Sequence, residues 1–322
     1  MASFLKGLIR NMNFCLKHSL RRRMALALVC GMLLSLGACS LQTAQTSPDP
    51  HAGLVEVPNG NGSTIWVPLY KKLDTADYAA DEFVTDGSYI DYTGSEYVAL
   101  RGIDVSEHQG EIDWNSVKND GVQFAVIRTG YRGYKQGGLA EDRYFKKNIE
   151  GALAAGIRVG VYFFSQAISA EEGKQEAQYI LSQIKDYKVT LPVFFDWERV
   201  DNVGETRVDA VTGDVITDAC LAFCKEVKAA GYDTGVYFYR SLGYYDYKLD
   251  ELEALPFWAG APGSYPDFYY RHSFWQYTAE GTVSGIQAAT DLDLWFETRA
   301  EAEKNGTADI TPGGATAPES SG

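Results

Sequence analysis

The strongest chemical signal in the sequence is a pair of acidic residues one position apart, Asp196 and Glu198, in the run Phe194-Phe195-Asp196-Trp197-Glu198. In a β-strand, residues i and i+2 point to the same side, so both carboxyl groups would enter one space. Two carboxyl groups in one apolar cleft cannot both ionise easily, so the pKa of one should rise. This arrangement suits cleavage of a glycosidic bond, because a protonated acid can protonate the leaving oxygen while an ionised neighbour stabilises the cationic sugar.

Further acids stand at the ends of other apolar runs, and each has a structural alternative. Asp196 and Glu198 could be solvated acids after a buried strand, although the flanking Phe and Trp residues disfavour that. Asp104, in Arg101-Gly102-Ile103-Asp104-Val105-Ser106, could cap a helix or make a turn. Asp291 and Asp293 could be acids of a surface strand, and Asp293 could equally be the one that faces inward.

Aromatic residues at or near the predicted strands are candidates for stacking on sugar rings. Aromatic residues in strands more often belong to the core, so we expect about half of them to be core only. The candidates are Tyr131, Tyr162, Phe163, Tyr237, Trp258, Trp275 and Tyr277.

The elements that must position these residues alternate between strand and helix. Apolar runs predict strands at Val98–Val105, Phe124–Arg128, Arg158–Phe164, Leu191–Asp196, Thr234–Phe238, Phe257–Ala261, Phe274–Tyr277 and Asp291–Trp295. Helical patterns cover Asp142–Ala155, Ala170–Ile184 and Thr217–Ala230. An Ala-Ala-Gly sequence followed by Gly-Val-Tyr-Phe occurs twice, at 154–163 and 229–238, which indicates one repeated helix–strand unit.

About five such units followed by three closely spaced strands predict an α/β fold, an irregular TIM-like β/α barrel with a single catalytic domain. An open, doubly wound sheet is the alternative, but no glycine-rich phosphate loop follows the first strand. In β/α barrels the functional residues lie at the carboxyl ends of the strands, where Asp104, Asp196 and Glu198 are predicted.

Composition excludes several partners. The chain of 322 residues has 29 basic and 43 acidic residues, and six of the basic ones lie in the first 39 residues, which contain no acid. The rest of the chain is therefore strongly acidic and would repel nucleic acid. With four His in the chain, a multi-His metal site is disfavoured, and no metal or organic cofactor is implied. Cys220 and Cys224 are four residues apart on a predicted helix, where two small buried side chains are favoured over a strained disulfide.

The first segment has the layout of a signal peptide: Arg21-Arg22-Arg23, an apolar run, then small residues. An uncleaved membrane span is the alternative, but the apolar run is short for one. Leu36-Gly37-Ala38-Cys39 resembles the bacterial lipobox, so Cys39 is the candidate lipid anchor, with plain secretion as the other possibility. We therefore expect an extracytoplasmic protein with four segments. They are a signal peptide (1–38), an anchor and spacer or N-terminal extension (39–98), the catalytic barrel (99–303) and a disordered tail (304–322).

Taken together, the motifs resemble glycoside hydrolase family 25, over about residues 99–298. They occur in the family's order and are specific only as a set. The resemblance rests on Arg101–Ser106, His108-Gln109-Gly110, Ile112-Asp113-Trp114, Phe124–Arg128, Gly160–Phe163, Asp196-Trp197-Glu198, Trp275-Gln276-Tyr277 and Asp291-Leu292-Asp293.

The resemblance implies an irregular β/α barrel that acts as an N-acetylmuramidase on the β-1,4 bond between N-acetylmuramic acid and N-acetylglucosamine in peptidoglycan. Glu198 matches the family's proton donor, and Asp196 matches the carboxylate that assists the substrate's acetamido group or positions the nucleophile. Asp104 and Asp291 match the other two acids that line the site. Many members have His at Phe163 and Asn at Asp293, which we interpret as variation affecting substrate preference.

Two other functions fit part of the pattern. A chitinase of glycoside hydrolase family 18 also ends a barrel strand with Asp-x-Glu, but it has further acids where this chain has Phe194 and Leu191. A lipoprotein that binds cell-wall sugars without cutting them is the second alternative. It is disfavoured because a binding module does not need four carboxyl groups at strand ends, and none of the four is missing here.

Overall fold

Alternating strands and helices fill the part of the chain that the structure describes, residues 49–200 and 203–309 of a computed structural model. The predicted signal peptide and Cys39 lie outside the described residues. The strands are β1 Leu54–Pro58, β2 Thr64–Pro68, β3 Phe83–Asp86, β4 Tyr89–Tyr92, β5 Tyr97–Val105, β6 Phe124–Arg132, β7 Leu139–Glu141, β8 Arg158–Ser165, β9 Val193–Trp197, β10 Thr234–Tyr239, β11 Phe257–Gly260, β12 Phe274–Gly281 and β13 Thr290–Thr298. The α-helices are α1 Trp114–Asn119, α2 Phe145–Ala154, α3 Ala170–Ile184, α4 Gly213–Ala229, α5 Arg240–Tyr245 and α6 Arg299–Asn305.

Eight of these strands close into a barrel in the order β5-β13-β12-β11-β10-β9-β8-β6, and β6 pairs back onto β5. The pairings around the barrel are parallel except that β13 runs antiparallel to both β12 and β5. The beginning of β13 therefore meets the carboxyl ends of the other strands. The predicted β/α barrel is confirmed, and the chain does not form the open sheet that was the alternative.

Helices cover the barrel on the side of the early strands. Helix α3 has the predicted bounds and begins after Ser169, whose side chain accepts a hydrogen bond from the backbone of Glu172. The two repeated units end their helices as predicted, since Gly156 and Gly231 adopt positive φ angles of 72° and 88° before the next strands. Between β11, β12 and β13 the described chain forms no helix.

The N-terminal extension covers that helix-free wall. Tyr78 and Phe83 make ring contacts with Phe296 of β13, with centroids 4.5 and 6.0 Å apart, and Phe83 also contacts Trp275 of β12 at 5.6 Å. Arg101 of β5 donates hydrogen bonds to Asp86 and Asp91 of the β3–β4 hairpin. Residues 49–96 thus pack as part of the same compact unit as the barrel.

The packed part of the chain ends later than the sequence predicts. Helix α6 continues to Asn305, and Thr307 is fully buried with its hydroxyl bonded to Glu297, so the packed chain extends beyond the expected boundary at 303.

Cys220 and Cys224 are free and buried, which confirms the prediction that they do not form a disulfide. Among the described residues, no helix is long and apolar enough to cross a membrane.

Candidate active site

Side chains alternate between the inside and the outside of the barrel along each strand, so every second residue fills the interior. The lower interior is an apolar plug formed by residues from four strands. Its members are Val98, Leu100, Phe124, Val126, Phe194 and Phe274. Further along β5 and β9, and on β13, the inward positions become acidic. This acid cluster consists of Asp104, Asp196, Glu198, Asp291 and Asp293.

Asp196 and Glu198 form one carboxyl pair at the end of β9. Asp196 is 4% exposed, whereas Glu198 is partly exposed, and their side chains hydrogen-bond to each other. Burial raises the pKa of Glu198 to about 7, helped by the charge of Asp291. Burial, followed by the charge of Glu198, also raises the pKa of Asp196 well above its usual range. Two carboxyl groups can share a hydrogen bond only through a proton, so the pair retains a proton to higher pH than two isolated acids would.

The backbone that carries Glu198 is held from outside the barrel. Gln166, fully buried in the loop after β8, donates its side-chain amide to the carbonyl oxygen of Glu198 at 2.6 Å. The indole of Trp197 donates to the carbonyl of Ala167 in the same loop at 3.0 Å. Arg207 in turn donates to the carbonyl of Gln166 at 3.1 Å. These bonds fix the position at which the Glu198 side chain leaves the strand.

Asp104 lies across the barrel interior at the end of β5, directly opposite Asp291 of β13. It accepts a hydrogen bond at 2.7 Å from the side-chain nitrogen of Gln276, whose oxygen accepts one at 2.9 Å from the hydroxyl of Tyr237. Burial and the charge of Asp291 raise the pKa of Asp104 well above its usual range. Burial raises the pKa of Asp291 to about 6.

A cation, Arg128 in the middle of β6, acts on the acid cluster. It lowers the pKa values of both Asp196 and Tyr162. Its guanidinium donates to Asp142 at 2.8 Å and lies 3.4 Å from Glu107. Arg128 therefore favours the ionised form of Asp196 while remaining fixed by its own partners.

The predicted aromatic residues divide into two groups. Tyr162, Tyr237 and Trp258 point into the barrel. Burial raises the pKa values of both tyrosines, and the negative charges of the acid cluster raise them further. Tyr131 is partly exposed beside Arg128, with the guanidinium 5.6 Å from the ring centroid.

Phe163, Trp275 and Tyr277 lie on the opposite side of the wall. Phe163 packs against Tyr179 of α3, Trp275 donates to the carbonyl of Ala261, and the hydroxyl of Tyr277 accepts from the backbone of Ile90. They stand at alternate positions from the inward Tyr162 and Gln276, and the pleat of the strands turns them outward. These three side chains therefore face away from the acid cluster, in contrast to the prediction that they contact sugar.

Sequence reasoning passed over Gln276 and left Asp293 open. Gln276 is the one polar residue in Phe274–Tyr277. It lies two positions after Phe274 and points to the same side of the strand, so its polarity could have indicated a place in the site. Asp293 faces inward two positions after Asp291, as the alternation of a strand requires.

A cavity that could be taken for the active site lies at the other end of the barrel. It has a volume of about 730 Å³ and is lined by the amino ends of β8 and β10 and by α6. It contains no member of the acid cluster. Among the described residues, no three His, Cys, Asp or Glu side chains are arranged to hold a metal ion.

Comparison with known proteins identifies this architecture. The sequence model of Glycosyl hydrolases family 25 matches residues 103–286, more than half of the chain. The Autolytic lysozyme of Clostridium acetobutylicum is 27% identical over 199 residues, covering 62% of this chain and 56% of that protein. Lysozyme M1 of Streptomyces globisporus is 28% identical over 204 residues, covering 60% and 66%. The chain thus spans just over half to about two thirds of these relatives' lengths.

Solved structures give the same result. The modular autolysin LytC from Streptococcus pneumoniae, in complex with a synthetic peptidoglycan ligand, superposes with a TM-score of 0.53 at 25% identity. The match covers 69% of this chain and 58% of LytC. The bacterial lysozyme from Streptomyces coelicolor superposes with a TM-score of 0.50 at 27% identity, covering 65% of this chain and 98% of that lysozyme. The chain belongs to glycosyl hydrolases family 25.

Proposed function

We propose that the chain is a peptidoglycan hydrolase that cleaves the β-1,4 bond from N-acetylmuramic acid to N-acetylglucosamine, with Glu198 as proton donor. The observation that carries the proposal is the hydrogen-bonded pair Asp196/Glu198, in which burial raises the pKa of Glu198 to about 7. An acid with that pKa is half protonated at neutral pH, which suits general acid catalysis. The lysozymes among its relatives and the peptidoglycan ligand of LytC support the substrate class.

The reaction follows from the positions of the carboxyl groups. The Glu198 proton passes to the glycosidic oxygen as the bond from that oxygen to the anomeric carbon breaks. Asp196, with Arg128 favouring its ionised form, assists the acetamido group of the substrate or positions the nucleophile. Asp104 and Asp291 line the far side and stabilise the positive charge that develops on the sugar ring. Water then supplies a hydroxyl group to the anomeric carbon, and its remaining proton restores the acid.

The sugar-contacting residues in this proposal are Tyr131, Tyr162, Tyr237 and Trp258. Their rings face the interior or its mouth, beside the acids. Aromatic rings present flat apolar faces that pack against the C–H faces of sugars, while the hydroxyls of Tyr162 and Tyr237 can bond to sugar oxygens.

The proposed place of action is outside the cytoplasm, where peptidoglycan lies, with Cys39 as the lipid anchor. If Cys39 is lipidated, Cys39→Ala releases the protein from the membrane fraction into the soluble fraction. An unchanged fractionation would contradict lipidation at this residue and indicate another mode of attachment.

The test of the function is digestion of purified peptidoglycan by the full chain, with the fragments identified by mass spectrometry. We expect fragments with N-acetylmuramic acid at the reducing end. Reducing N-acetylglucosamine ends would contradict the assigned bond and indicate a different glycosidase. Cleavage of N-acetylglucosamine polymers alone would favour the chitinase-like alternative, and binding without fragments would favour the sugar-binding lipoprotein.

A further inference from the structure

Asp293 is the most deeply buried acid in the cluster, and the reaction described above does not use it. Its side chain is 0% exposed, one inward position below Asp291 on β13. One carboxyl oxygen, Oδ1, accepts a hydrogen bond from the indole nitrogen of Trp258 at 2.8 Å. The other, Oδ2, has no hydrogen-bond donor among the described residues. An ionised carboxylate with one donor in so dry a place would be strongly destabilising.

The floor beneath Asp293 is apolar. Asp293 pairs across the sheet with Gly102 of β5, where a Cβ atom would lie 2.1 Å from the ring of Phe124. The Phe124 ring therefore lies against the bare backbone of Gly102, directly below Asp104. Phe274 and Phe194 pack with their rings at 5.1 Å in the same layer. None of these floor residues offers a charge or a proton to Asp293.

Another acid lies beside Asp293. The carboxyl of Asp104 lies within hydrogen-bonding reach of Asp293, diagonally across the β5–β13 pair. Gln276 bonds to Asp104 and Tyr237 and leaves Oδ2 of Asp293 without a donor among the described residues. Two carboxyl oxygens bond to each other only when one of them carries a proton.

The charged and titratable groups around the two acids favour that proton. Asp291 on the same strand, Asp104 on β5 and Asp196 on β9 are acids, and Tyr162 and Tyr237 are neutral phenols whose pKa values burial raises. Arg128 on β6 is engaged by Asp142. Burial raises the pKa of Asp293 well above its usual range and the charge of Asp291 adds to this, although the hydrogen bonds with Trp258 and Asp104 act in the lowering direction.

We propose that Asp293 is a positioning residue that shares one proton with Asp104 at neutral pH. Both side chains are buried, Asp293 at 0% and Asp104 at 6% exposed, so two adjacent charges there would be strongly destabilising. The shared proton holds the Asp104 carboxyl against Asp293, below the sugar. This role rests on the proposed function, and it separates the acids into two proton-sharing pairs, Asp196/Glu198 and Asp104/Asp293.

Two variants of the full chain distinguish this role from simple packing. Asp293→Leu keeps the approximate volume but removes the donor, and we expect kcat to fall about 100-fold with KM little changed. Asp293→Asn restores an N–H donor towards Asp104 and an acceptor for Trp258, so it should recover most of that loss, to within about 10-fold of wild type. Equal losses in the Leu and Asn variants would overturn the proposal.

The pH profile of the Asn variant tests the protonation state. If the Asp104/Asp293 pair holds one proton in the wild type, Asp293→Asn keeps the net charge of the pair and leaves both apparent pKa values of the kcat/KM profile in place. If both acids were ionised, removing one charge would lower the pKa values of the neighbouring acids and move the alkaline limb to lower pH. That acidward shift would overturn the proposal.

A measurement that needs no activity completes the test. In protein labelled with ¹³C at the aspartate carboxyl groups, the wild type should show a protonated-acid resonance that persists above pH 7 and is absent from Asp293→Asn. Should every aspartate resonance of the wild type titrate below pH 7, the assignment of the proton is wrong. Peptidoglycan left uncut by the wild type would instead contradict the proposed function, whatever the spectrum shows.

Discussion

The lower and upper halves of the barrel interior are built on the same strands but with opposite chemistry. On β9, Phe194 points into the apolar plug, and Asp196 and then Glu198 follow at the next inward positions. On β5, Leu100 lies in the plug and Asp104 in the acid cluster. The plug excludes water from below, and this is the main reason that the pKa values of the acids rise.

The comparison shows how stability and reactivity are separated along one barrel axis. The plug contributes the burial of apolar surface that holds the strands together. The acid cluster is destabilising, because five carboxyl groups lie close together with little solvent. We therefore expect changes in the upper half to act mainly on activity and its pH dependence, and changes in the lower half to act mainly on the free energy of unfolding.

The largest expected effect is on activity in the upper half. Glu198→Gln keeps the shape of the side chain but removes the proposed proton donor, so the proposed cleavage of peptidoglycan should slow about 1,000-fold or more. Release of reducing sugar ends measures it. The exposed Glu205→Gln in the following loop is the matched control and should cleave at the wild-type rate. A Glu198→Gln enzyme of normal rate would place the proton donor elsewhere.

The second effect concerns the lower half and appears in stability. Leu100 is fully buried in the plug, so Leu100→Ala should reduce the free energy of unfolding by about 3 kcal/mol. The rate per folded molecule and its pH optimum should remain those of the wild type. Urea denaturation measures the first quantity and cleavage assays the second. A shifted pH optimum with unchanged stability would contradict the division between the two halves.

The third effect is the pH dependence of stability. The pKa of Glu198 rises from 4.5 to about 7 on folding, and that of Asp291 from 3.8 to about 6. Their contribution to stability is therefore fully present below about pH 4 and is lost as the pH rises through 6 to 7. Urea midpoints should be higher at pH 5 than at pH 8, and Glu198→Gln should flatten the difference. A wild type that is more stable at pH 8 would contradict the raised pKa values.

The smallest effect compares two buried tryptophans with similar indole bonds. Trp258 donates inside the barrel to Asp293, and Trp275 donates on the outer side to the carbonyl of Ala261, both at 2.8 Å. Trp258→Phe should lower kcat about 10-fold by leaving Asp293 without its donor. Trp275→Phe should reduce stability by about 1 kcal/mol and leave kcat unchanged. A loss of kcat in the Trp275 variant alone would contradict the assignment of inner and outer faces.

The sequence predicted the barrel strands and the acids because both depend on local patterns. The apolar runs mark all eight strands, and the i, i+2 spacing of Asp196 and Glu198 needs only the geometry of one strand. Strand β12 is different, since Phe274, Trp275 and Tyr277 are all apolar and both sides of the strand are buried. Such a strand carries no alternation from which the inward side can be deduced, and Gln276 alone marked it.

The N-terminal extension shows a second reason why part of the structure could not be predicted from the sequence. Its residues contact segments far along the chain, as when Tyr78 donates its hydroxyl to the carbonyl of His272. A spacer and a covering segment have similar turn-rich composition, so only the tertiary contacts distinguish them. The Asp104/Asp293 contact likewise depends on the antiparallel register of β13 with β5, which no local pattern specifies.

The most direct test of the central claim, that Glu198 is the proton donor, compares two leaving groups. Wild type and Glu198→Gln are assayed on peptidoglycan and on an aryl glycoside whose phenol is acidic enough to leave without protonation. We expect the variant to lose about 1,000-fold on peptidoglycan but far less on the aryl glycoside. Equal losses on both substrates would contradict the claim, because the residue would then act on something other than the leaving oxygen.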